Sequence, residues 1–335
     1  MNVPLHPTLQ TRFASLTDLV PIEFHALWGH STAQFLEGRM LQPLILHPPQ
    51  YTLSIPSRTL AGLWTFSPKL STFVQETTLL TMIDDVTGEL AYHVYLATQT
   101  DNKHIGFTVN LRVDKHANVD VAKEFYFEAR AVDVEGRKVC IECRVFDARV
   151  GCLLMTARAM FVFMSFAQVS KKSKDTQSVS HAVHVQIPGS CSIGTAELRS
   201  LDRVMNFLPP DTVTHSRGFI NTHAQTLVVG LDFGPNISGP PIYVHGGILA
   251  TVLYNASALL FAKTTKVEDG LINASVRDVN YYKGVPLECQ NTVIEARVET
   301  QDEKHVVVFA KLVQGSHVFT TLKTTFTLQS PHSKL

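Results

Sequence analysis

The sequence has no excess of either charge. Its 29 lysines and arginines are balanced by 29 aspartates and glutamates. A surface that coats nucleic acid needs an excess of basic side chains, so we expect no nucleic-acid partner. One basic cluster, KKSK at residues 171–174, lies in a Ser- and Gln-rich stretch and favours a solvated linker.

Cysteine is scarce. The chain has 5 cysteines, and this odd, scattered set indicates a reducing compartment and no disulfide framework. Cys140 and Cys143 form a CxxC, but the pattern around them alternates like a strand and would point them to opposite faces. The histidines show no metal-ligand spacing. We therefore expect neither a metal nor a cofactor.

Long apolar runs are also missing. No run approaches the roughly 18–20 residues of a transmembrane helix, so we expect no membrane span. The first residues, MNVPLHPTLQ, lack the charged and apolar regions of a secretory signal. In contrast, 45% of the residues are hydrophobic and only 17% are charged, which indicates a globular chain with a large core.

An internal duplication organises the chain. Residues 58–88 and 225–257 each begin with an alternating apolar strand pattern containing Gly-Leu, followed by Phe and a Pro turn. Each then continues into a run with apolar residues at helical spacing, which predicts helices near residues 75–93 and 245–263. The repeated order indicates two similar structural units.

Four strand-like segments follow each predicted helix, separated by turns that contain Gly or Asp. We predict that each half consists of a strand, a long helix and a meander of four strands. Because an antiparallel sheet with one apolar face needs a cover, the long helix would pack on that face.

Five segments follow from this pattern. Residues 1–57 form an N-terminal leader, and 58–167 form the first repeat. A linker occupies 168–200, with QVSKKSKDTQSVS at its start, and the second repeat occupies 201–330. A short tail, 331–335, ends the chain.

The motif GPPIYVHGGILAT at residues 239–251 resembles the signature of hotdog-fold acyl-CoA thioesterases of the PaaI-like and Them-type branches. LLTMIDDVTG at 79–88 is similar to the helix that carries the aspartate of that superfamily. The resemblance implies an α+β fold, a tandem or double hotdog with two long helices wrapped by a continuous antiparallel sheet. It also implies an acyl-CoA substrate and a possible homo-oligomer.

The resemblance further implies that a site forms between two repeats. One repeat supplies the backbone N–H of a glycine at a helix start, where the unpaired N–H groups suit a developing oxyanion. The other repeat supplies a carboxylate from its helix and a Thr from the next strand. Aligning Thr81 with Thr251 places Asp84 opposite Tyr254, so each repeat retains a different half of the site.

One composite site is thus predicted, with Asp84, Thr108 and Gly246 as catalytic residues. His245, Gly247, Asp85 and Asn255 are predicted to contact the substrate. At the second possible site between the repeats, Tyr254 replaces the aspartate. In the alignment Gln75 stands opposite His245 there, and Glu76 occupies the position of the glycine that would bind the oxyanion. Because a carboxylate there repels an oxyanion, that site is predicted to be inactive.

Other interpretations of these residues remain open at this stage. Asp85 could be the catalytic carboxylate, or the Asp84–Asp85 pair could be structural. Gly246 and Gly247 could form only a tight turn, and His245 could be a structural loop residue. Thr108 could be an ordinary strand residue. Tyr254 and Asn255 could simply fill the space of the lost carboxylate.

The expected function is hydrolysis of acyl-CoA to free acid and CoA. Two alternatives remain, an inactive acyl-CoA-binding or scaffold protein and an enoyl-CoA hydratase of the hotdog type. The terminal Ser333-Lys334-Leu335 has the form of a peroxisomal import signal, so we expect an import receptor as partner and a location in peroxisomes or glycosomes.

Overall fold

A computed structural model describes residues 5–16, 18, 20–22, 50–65, 72–99, 104–119, 124–165, 168, 190–193, 213–234, 237, 243–267, 272–287 and 289–328. Most of the predicted linker and the whole C-terminal tripeptide lie outside these residues. Three helices are described: α1 (Pro7–Ala14), α2 (Thr72–Leu96) and α3 (Gly246–Thr265).

The strands before α3 are β1 (Val20–Ile22), β2 (Gln50–Ser54), β3 (Thr59–Thr65), β4 (His104–Lys115), β5 (Glu124–Glu135), β6 (Lys138–Asp147), β7 (Leu153–Ser165), β8 (Cys191–Ser192), β9 (Val213–Asn221) and β10 (Thr226–Phe233). Those after α3 are β11 (Ala274–Tyr281), β12 (Thr292–Gln301), β13 (His305–Gln314) and β14 (His317–Thr327).

All these strands join one antiparallel sheet in the order β1-β2-β3-β5-β6-β7-β4-β11-β14-β13-β12-β10-β9-β8. Outward from the centre, equivalent strands of the two repeats follow in the same order: β4-β7-β6-β5-β3-β2-β1 on one side and β11-β14-β13-β12-β10-β9-β8 on the other. At the centre β4 of the first repeat pairs with β11 of the second, with Leu111 opposite Val279. This continuous sheet wrapped around two long helices confirms the predicted double hotdog.

The central turns of both long helices are buried on every side. From Glu76 to Thr87 each residue of α2 is buried, and so is each residue of α3 from Gly247 to Ala262. A helix that the sheet surrounds needs apolar residues around its whole circumference. For this reason α3 also has the length and composition of a membrane span, contrary to the expectation from sequence, but 89% of its most apolar window is buried inside the protein.

The two repeats are related by a pseudo-twofold axis. Thr81 Oγ1 of α2 and Thr251 Oγ1 of α3 share a hydrogen bond of 3.0 Å, and these residues are 170 positions apart. Asn110 and Asn280, also 170 positions apart, pair across β4 and β11, where the Asn110 amide donates to Asn280 Oδ1. Residues that meet on the axis must be equivalent, so the alignment of Thr81 with Thr251 matches the three-dimensional symmetry.

The meander prediction is wrong for the first strand after each helix. β4 pairs with β7 rather than with β5, and β11 pairs with β14 rather than with β12. Only the last three strands of each repeat form a meander. An edge strand presents unpaired N–H and C=O groups, and placing β4 beside β11 pairs these groups between the repeats.

Each repeat begins with a hairpin rather than a single strand. β2 pairs with β3, and β9 pairs with β10. The segment predicted as leader, 1–57, therefore contains two strands of the sheet, β1 and β2. It also contains α1. Leu5, just before this helix, and Leu9 within it pack on the outer face of the first repeat against Ala61, Leu63, Tyr126, Phe146 and Ala148.

Candidate active site

Asp84 lies in the middle of α2 with only 3% of its surface exposed. Thr108, on β4 of the same repeat, donates its hydroxyl proton to Asp84 Oδ1 over 2.9 Å. The bond restrains the carboxylate, and Oδ2 faces His245 and Gly246 of the other repeat. The structure therefore brings together the two residues of the first repeat that the sequence predicted to be catalytic.

Gly246 is the first residue of α3 and faces this carboxylate. A Cβ added to it would lie 2.9 Å from Asp84 Oδ2 and 3.4 Å from Thr108 Oγ1. A side chain would thus displace the carboxylate, which explains the need for glycine here. The N–H of Gly246 has no acceptor among the described residues, as expected for the first turn of a helix.

Tyr281, at the end of β11, is a site residue that the sequence analysis missed. Its hydroxyl donates to the carbonyl oxygen of Gly246 over 2.9 Å, and its ring lies beside the same glycine. Burial, together with the charge of Asp84, raises the pKa of the Tyr281 phenol well above its usual value, so the phenol keeps its proton. The bond holds the peptide that joins Gly246 to Gly247 in place.

Gly247 allows the two helices to approach each other closely. A Cβ on this residue would lie 2.9 Å from the Cα of Thr81 on α2, which is a backbone atom that cannot move aside. Gly247 thus serves the packing of α3 against α2, and this contact brings the start of α3 next to Asp84. A substrate contact for Gly247 stays a prediction.

His245 caps α3 and joins two carboxylates. Its Nδ1 accepts a hydrogen bond from the N–H of Gly247 over 3.1 Å, so the neutral ring carries its proton on Nε2. Nε2 lies 3.5 Å from Asp85 Oδ1, and Nδ1 lies 3.6 Å from Asp84 Oδ2. The interpretation of His245 as a structural residue fits the cap, while the two carboxylate contacts place it in the site.

The electrostatics of the cluster are dominated by burial. Burial raises the pKa of Asp84, and the charge of His245, the Thr108 hydroxyl and the Gly247 N–H offset part of this increase. Burial likewise raises the pKa of Asp85. Burial disfavours the charged form of His245, but the nearby carboxylates of Asp85 and Asp84 outweigh it and raise its pKa.

Asp85 and Asn255 occupy different places. Asp85 touches the imidazole of His245 but has no described contact with Thr108. Asn255 is 3% exposed, and neither polar atom of its side chain has a hydrogen-bond partner in the part of the chain that the structure describes. Because Asn255 comes nine residues after Gly246 in α3, it lies about 14 Å further along the helix axis. It is therefore separate from the Asp84 cluster.

The pseudo-symmetric position holds a buried ion network. Tyr254, the equivalent of Asp84, lies under the guanidinium of Arg277 at 4.5 Å from its ring centroid. Arg277 also donates to Glu76 Oε2 over 2.7 Å, and Lys115 binds the other oxygen of Glu76. Asn273 accepts a second bond from Lys115 at 2.9 Å. Charged side chains thus occupy the position equivalent to the Asp84 cluster.

A third buried carboxylate extends the Asp84 cluster along α2. Glu89 is one helical turn after Asp85, and Glu89 Oε1 lies 2.6 Å from Nε2 of His93 a further turn on. Glu89 is 3% exposed, whereas the His93 side chain is 26% exposed. Burial raises the pKa of Glu89 to about 7, His93 opposes this shift, and the charge of Asp85 adds to it.

Glu89→Gln is expected to be more stable than the wild type at pH 8 and to lose that advantage at pH 5. The folded pKa of Glu89 is raised from 4.5 to about 7, so its contribution to stability is present below pH 4.5 and is lost as the pH rises through 7. A shift of this size corresponds to about 3 kcal/mol. Urea unfolding of both proteins at several pH values measures the difference, and parallel stability curves would contradict the expectation.

Comparison with known proteins rests on structure alone. No protein-family model matches the chain, and no curated protein matches it. Among solved structures, an acyl-CoA thioesterase II from Mycobacterium marinum has 12% identity and a TM-score of 0.47, with 83% of this chain and 94% of that chain covered. An acyl-ACP thioesterase from Bacteroides thetaiotaomicron VPI-5482 has 11% identity and a TM-score of 0.47, with coverage of 82% and 100%.

A third solved structure is a conserved protein of unknown function with a hot dog fold from Alicyclobacillus acidocaldarius. It has 15% identity and a TM-score of 0.47, with 83% of this chain and 96% of that chain covered. At these identities and scores the likenesses carry no assignment of activity or substrate. The fold is a double hotdog, and the solved structures that resemble it include hotdog-fold thioesterases.

Proposed function

We propose that the protein hydrolyses acyl-CoA thioesters to free acid and CoA at one site between the two repeats. The observation that supports this most directly is the position of Asp84. Thr108 of its own repeat holds one carboxylate oxygen, and the other faces Gly246 at the start of the helix of the second repeat. A base next to an unpaired backbone donor suits acyl transfer to water.

Asp84 acts as the general base in this proposal. Its carboxylate takes a proton from a water molecule while the water oxygen forms a bond to the thioester carbon. The tetrahedral intermediate then collapses, the C–S bond breaks, and Asp84 returns the proton to the thiolate sulfur. A pKa raised by burial suits this role because proton transfer is most efficient when the pKa of the base lies near the working pH.

Gly246 stabilises the negative charge that develops on the carbonyl oxygen. Its N–H points from the first turn of α3 and has no acceptor among the described residues, so it can donate to an oxyanion. The partial positive charge of the helix N-terminus acts in the same direction. Tyr281 binds the carbonyl oxygen of the same glycine, which belongs to the following peptide, and so restrains Gly246.

A panel of acyl-CoA thioesters tests the proposal. Purified protein is incubated with substrates of short, medium and long chains, and free CoA is measured with a thiol reagent. Release of CoA with saturation kinetics supports the proposal. If acyl-CoA binds without release of CoA, the protein is a binding protein, and a product that retains its thioester indicates a hydratase. Either result would refute hydrolysis.

Isotope labelling tests the role of Asp84 as a base rather than a nucleophile. In a single turnover in H₂¹⁸O, attack by water places one ¹⁸O atom in the released acid. Attack by Asp84 would form an anhydride, and its hydrolysis at the aspartyl carbon would place unlabelled enzyme oxygen in that acid. We expect the labelled product.

We also propose a peroxisomal or glycosomal location, based on the tripeptide Ser333-Lys334-Leu335. A version of the protein that lacks these three residues is expected to remain in the cytosol. A fluorescent protein that carries residues 329–335 at its C-terminus serves as the second measurement and is expected to enter the organelle. The assignment would be contradicted if the shortened protein still entered the organelle. It would also be contradicted if the fluorescent protein with residues 329–335 stayed in the cytosol.

A further inference from the structure

The proposed reaction produces a proton that must leave a buried site. When water hydrolyses a thioester at neutral pH, one proton of the water ends on the thiol sulfur, and the carboxylic acid product loses the other. Asp84 is 3% exposed, and the bound thioester would occupy its open side near Gly246. A second route to solvent would let the proton leave before the products do.

A line of titratable side chains along one face of α2 offers such a route. Asp85, Glu89 and His93 follow one another at intervals of four residues, so they are neighbours on the helix surface. The line begins at His245, whose Nε2 lies 3.5 Å from Asp85 and whose Nδ1 lies 3.6 Å from Asp84. It ends at His93, whose Nε2 is buried 2.6 Å from Glu89 Oε1 and whose side chain as a whole is 26% exposed.

A buried tyrosine of β2 interacts electrostatically with the line. This residue, Tyr51, is affected by the charges of Asp85 and Glu89. It is 5% exposed, and the indole N–H of Trp64 donates to its hydroxyl oxygen over 3.3 Å. Burial, with the charges of Asp85 and Glu89, raises the pKa of Tyr51 well above its usual value, so the phenol stays neutral.

The second repeat supplies an independent observation. The offset of 170 residues that relates Thr81 to Thr251 places Asn255, Leu259 and Lys263 at the equivalent positions of α3. Asn255 and Leu259 do not titrate, and both are buried. The line of titratable groups therefore exists only in the repeat whose helix carries the carboxylate Asp84. A purely architectural role for it would have no reason to follow the site.

We propose that Asp85, Glu89 and His93 relay the proton released by hydrolysis from the Asp84–His245 pair to the solvent. The inference rests on the proposed thioesterase function. In each turnover the acid product gives its proton to the pair, and the proton passes through Asp85 and Glu89 to His93 and then to buffer. Glu89, with a pKa of about 7, accepts and releases a proton at neutral pH at little cost.

Chemical rescue tests the relay. His93→Ala is expected to lower kcat roughly tenfold at neutral pH with an unchanged KM, because proton transfer to solvent becomes slow. Imidazole added to the buffer is expected to restore kcat in proportion to its concentration, since it can take the proton from Glu89. His116→Ala is the matched control, because His116 is an exposed histidine that contacts Thr156 on the sheet surface. It is expected to match the wild type with and without imidazole.

Two further variants separate a relay from a structural effect. His93→Gln keeps a polar side chain at the surface and is expected to show the same loss and the same rescue. Glu89→Gln breaks the line one step deeper, so it is expected to lose kcat without rescue by imidazole. Both should shift the pH dependence of kcat rather than KM.

The outcomes distinguish the two proposals. Wild-type hydrolysis with an undiminished kcat in His93→Ala overturns the relay and leaves the thioesterase function in place. A reduced kcat that imidazole does not restore overturns it as well, because the histidine would then be structural. If the wild type hydrolyses no thioester, the proposed function fails and the relay fails with it.

Discussion

Replacing Asp84 with Asn is expected to lower kcat for thioester hydrolysis by about 10²–10⁴-fold while the fold stays intact. The amide has the same shape, and its oxygen can still accept the hydrogen bond from Thr108. It cannot take a proton from water, so the chemical step loses its base. Steady-state kinetics measure kcat and KM, and circular dichroism checks the fold.

Tyr254→Phe is the matched control, because Tyr254 is the pseudo-symmetric equivalent of Asp84. The change removes one hydroxyl, which lies 3.3 Å from Arg277, and activity is expected to stay near the wild-type level. Asp85→Asn is expected to lose less activity than Asp84→Asn, since Asp85 contacts His245 rather than Thr108. Near-normal hydrolysis by Asp84→Asn would show that the assignment of Asp84 is wrong and that Asp85 is the catalytic carboxylate or that the pair has no catalytic role.

Replacing Glu76 with Ala is expected to lower the free energy of unfolding by about 3–5 kcal/mol, the usual cost of breaking a buried ion pair. Arg277 is 1% exposed and the Lys115 side chain 6% exposed, so both cations would lose their carboxylate partner away from water. Urea unfolding measures the loss. The kcat of the folded fraction is expected to remain normal, because this network lies at the position predicted to be inactive.

Glu299→Ala is the control for the loss of Glu76. Glu299 pairs at the surface with Arg297 and Lys323, whose side chains are 60% and 56% exposed, and an exposed ion pair contributes only about 0–1 kcal/mol. If both variants lost the same small amount of unfolding free energy, the buried network would not hold the repeats together. If Glu76→Ala abolished hydrolysis in folded protein, the second position would take part in catalysis.

Much of the fold was predictable because its signals are local. Apolar residues at helical spacing predicted helices at 75–93 and 245–263, and the structure has them at Thr72–Leu96 and Gly246–Thr265. Alternating residues predicted strands, as in β13, where buried and partly exposed residues alternate. The pairing of β4 with β11 was not predictable, because no local pattern determines which strand edges meet.

In the candidate site, too, some residues were predictable from local sequence and others were not. Asp84 and Gly246 stand out in the sequence because a carboxylate is unusual in an apolar helix and two glycines after a histidine are unusual at a helix start. Tyr281 carries no such signal. It follows Gly246 by 35 residues, on a strand whose side chains reach the site only after the sheet has formed.

The amino-acid sequence by itself determined the duplication, the two helices and the separation of Asp84 and Gly246 into different repeats, because each depends on residues close together in the chain. Tertiary structure decided the rest. The pairing of Glu76 with Arg277 joins residues 201 positions apart, and the contacts of His245 with Asp84 and Asp85 join the two repeats. Charges that meet only in the folded protein leave no trace in local sequence, since their attraction depends on distance in space and on the removal of water around them.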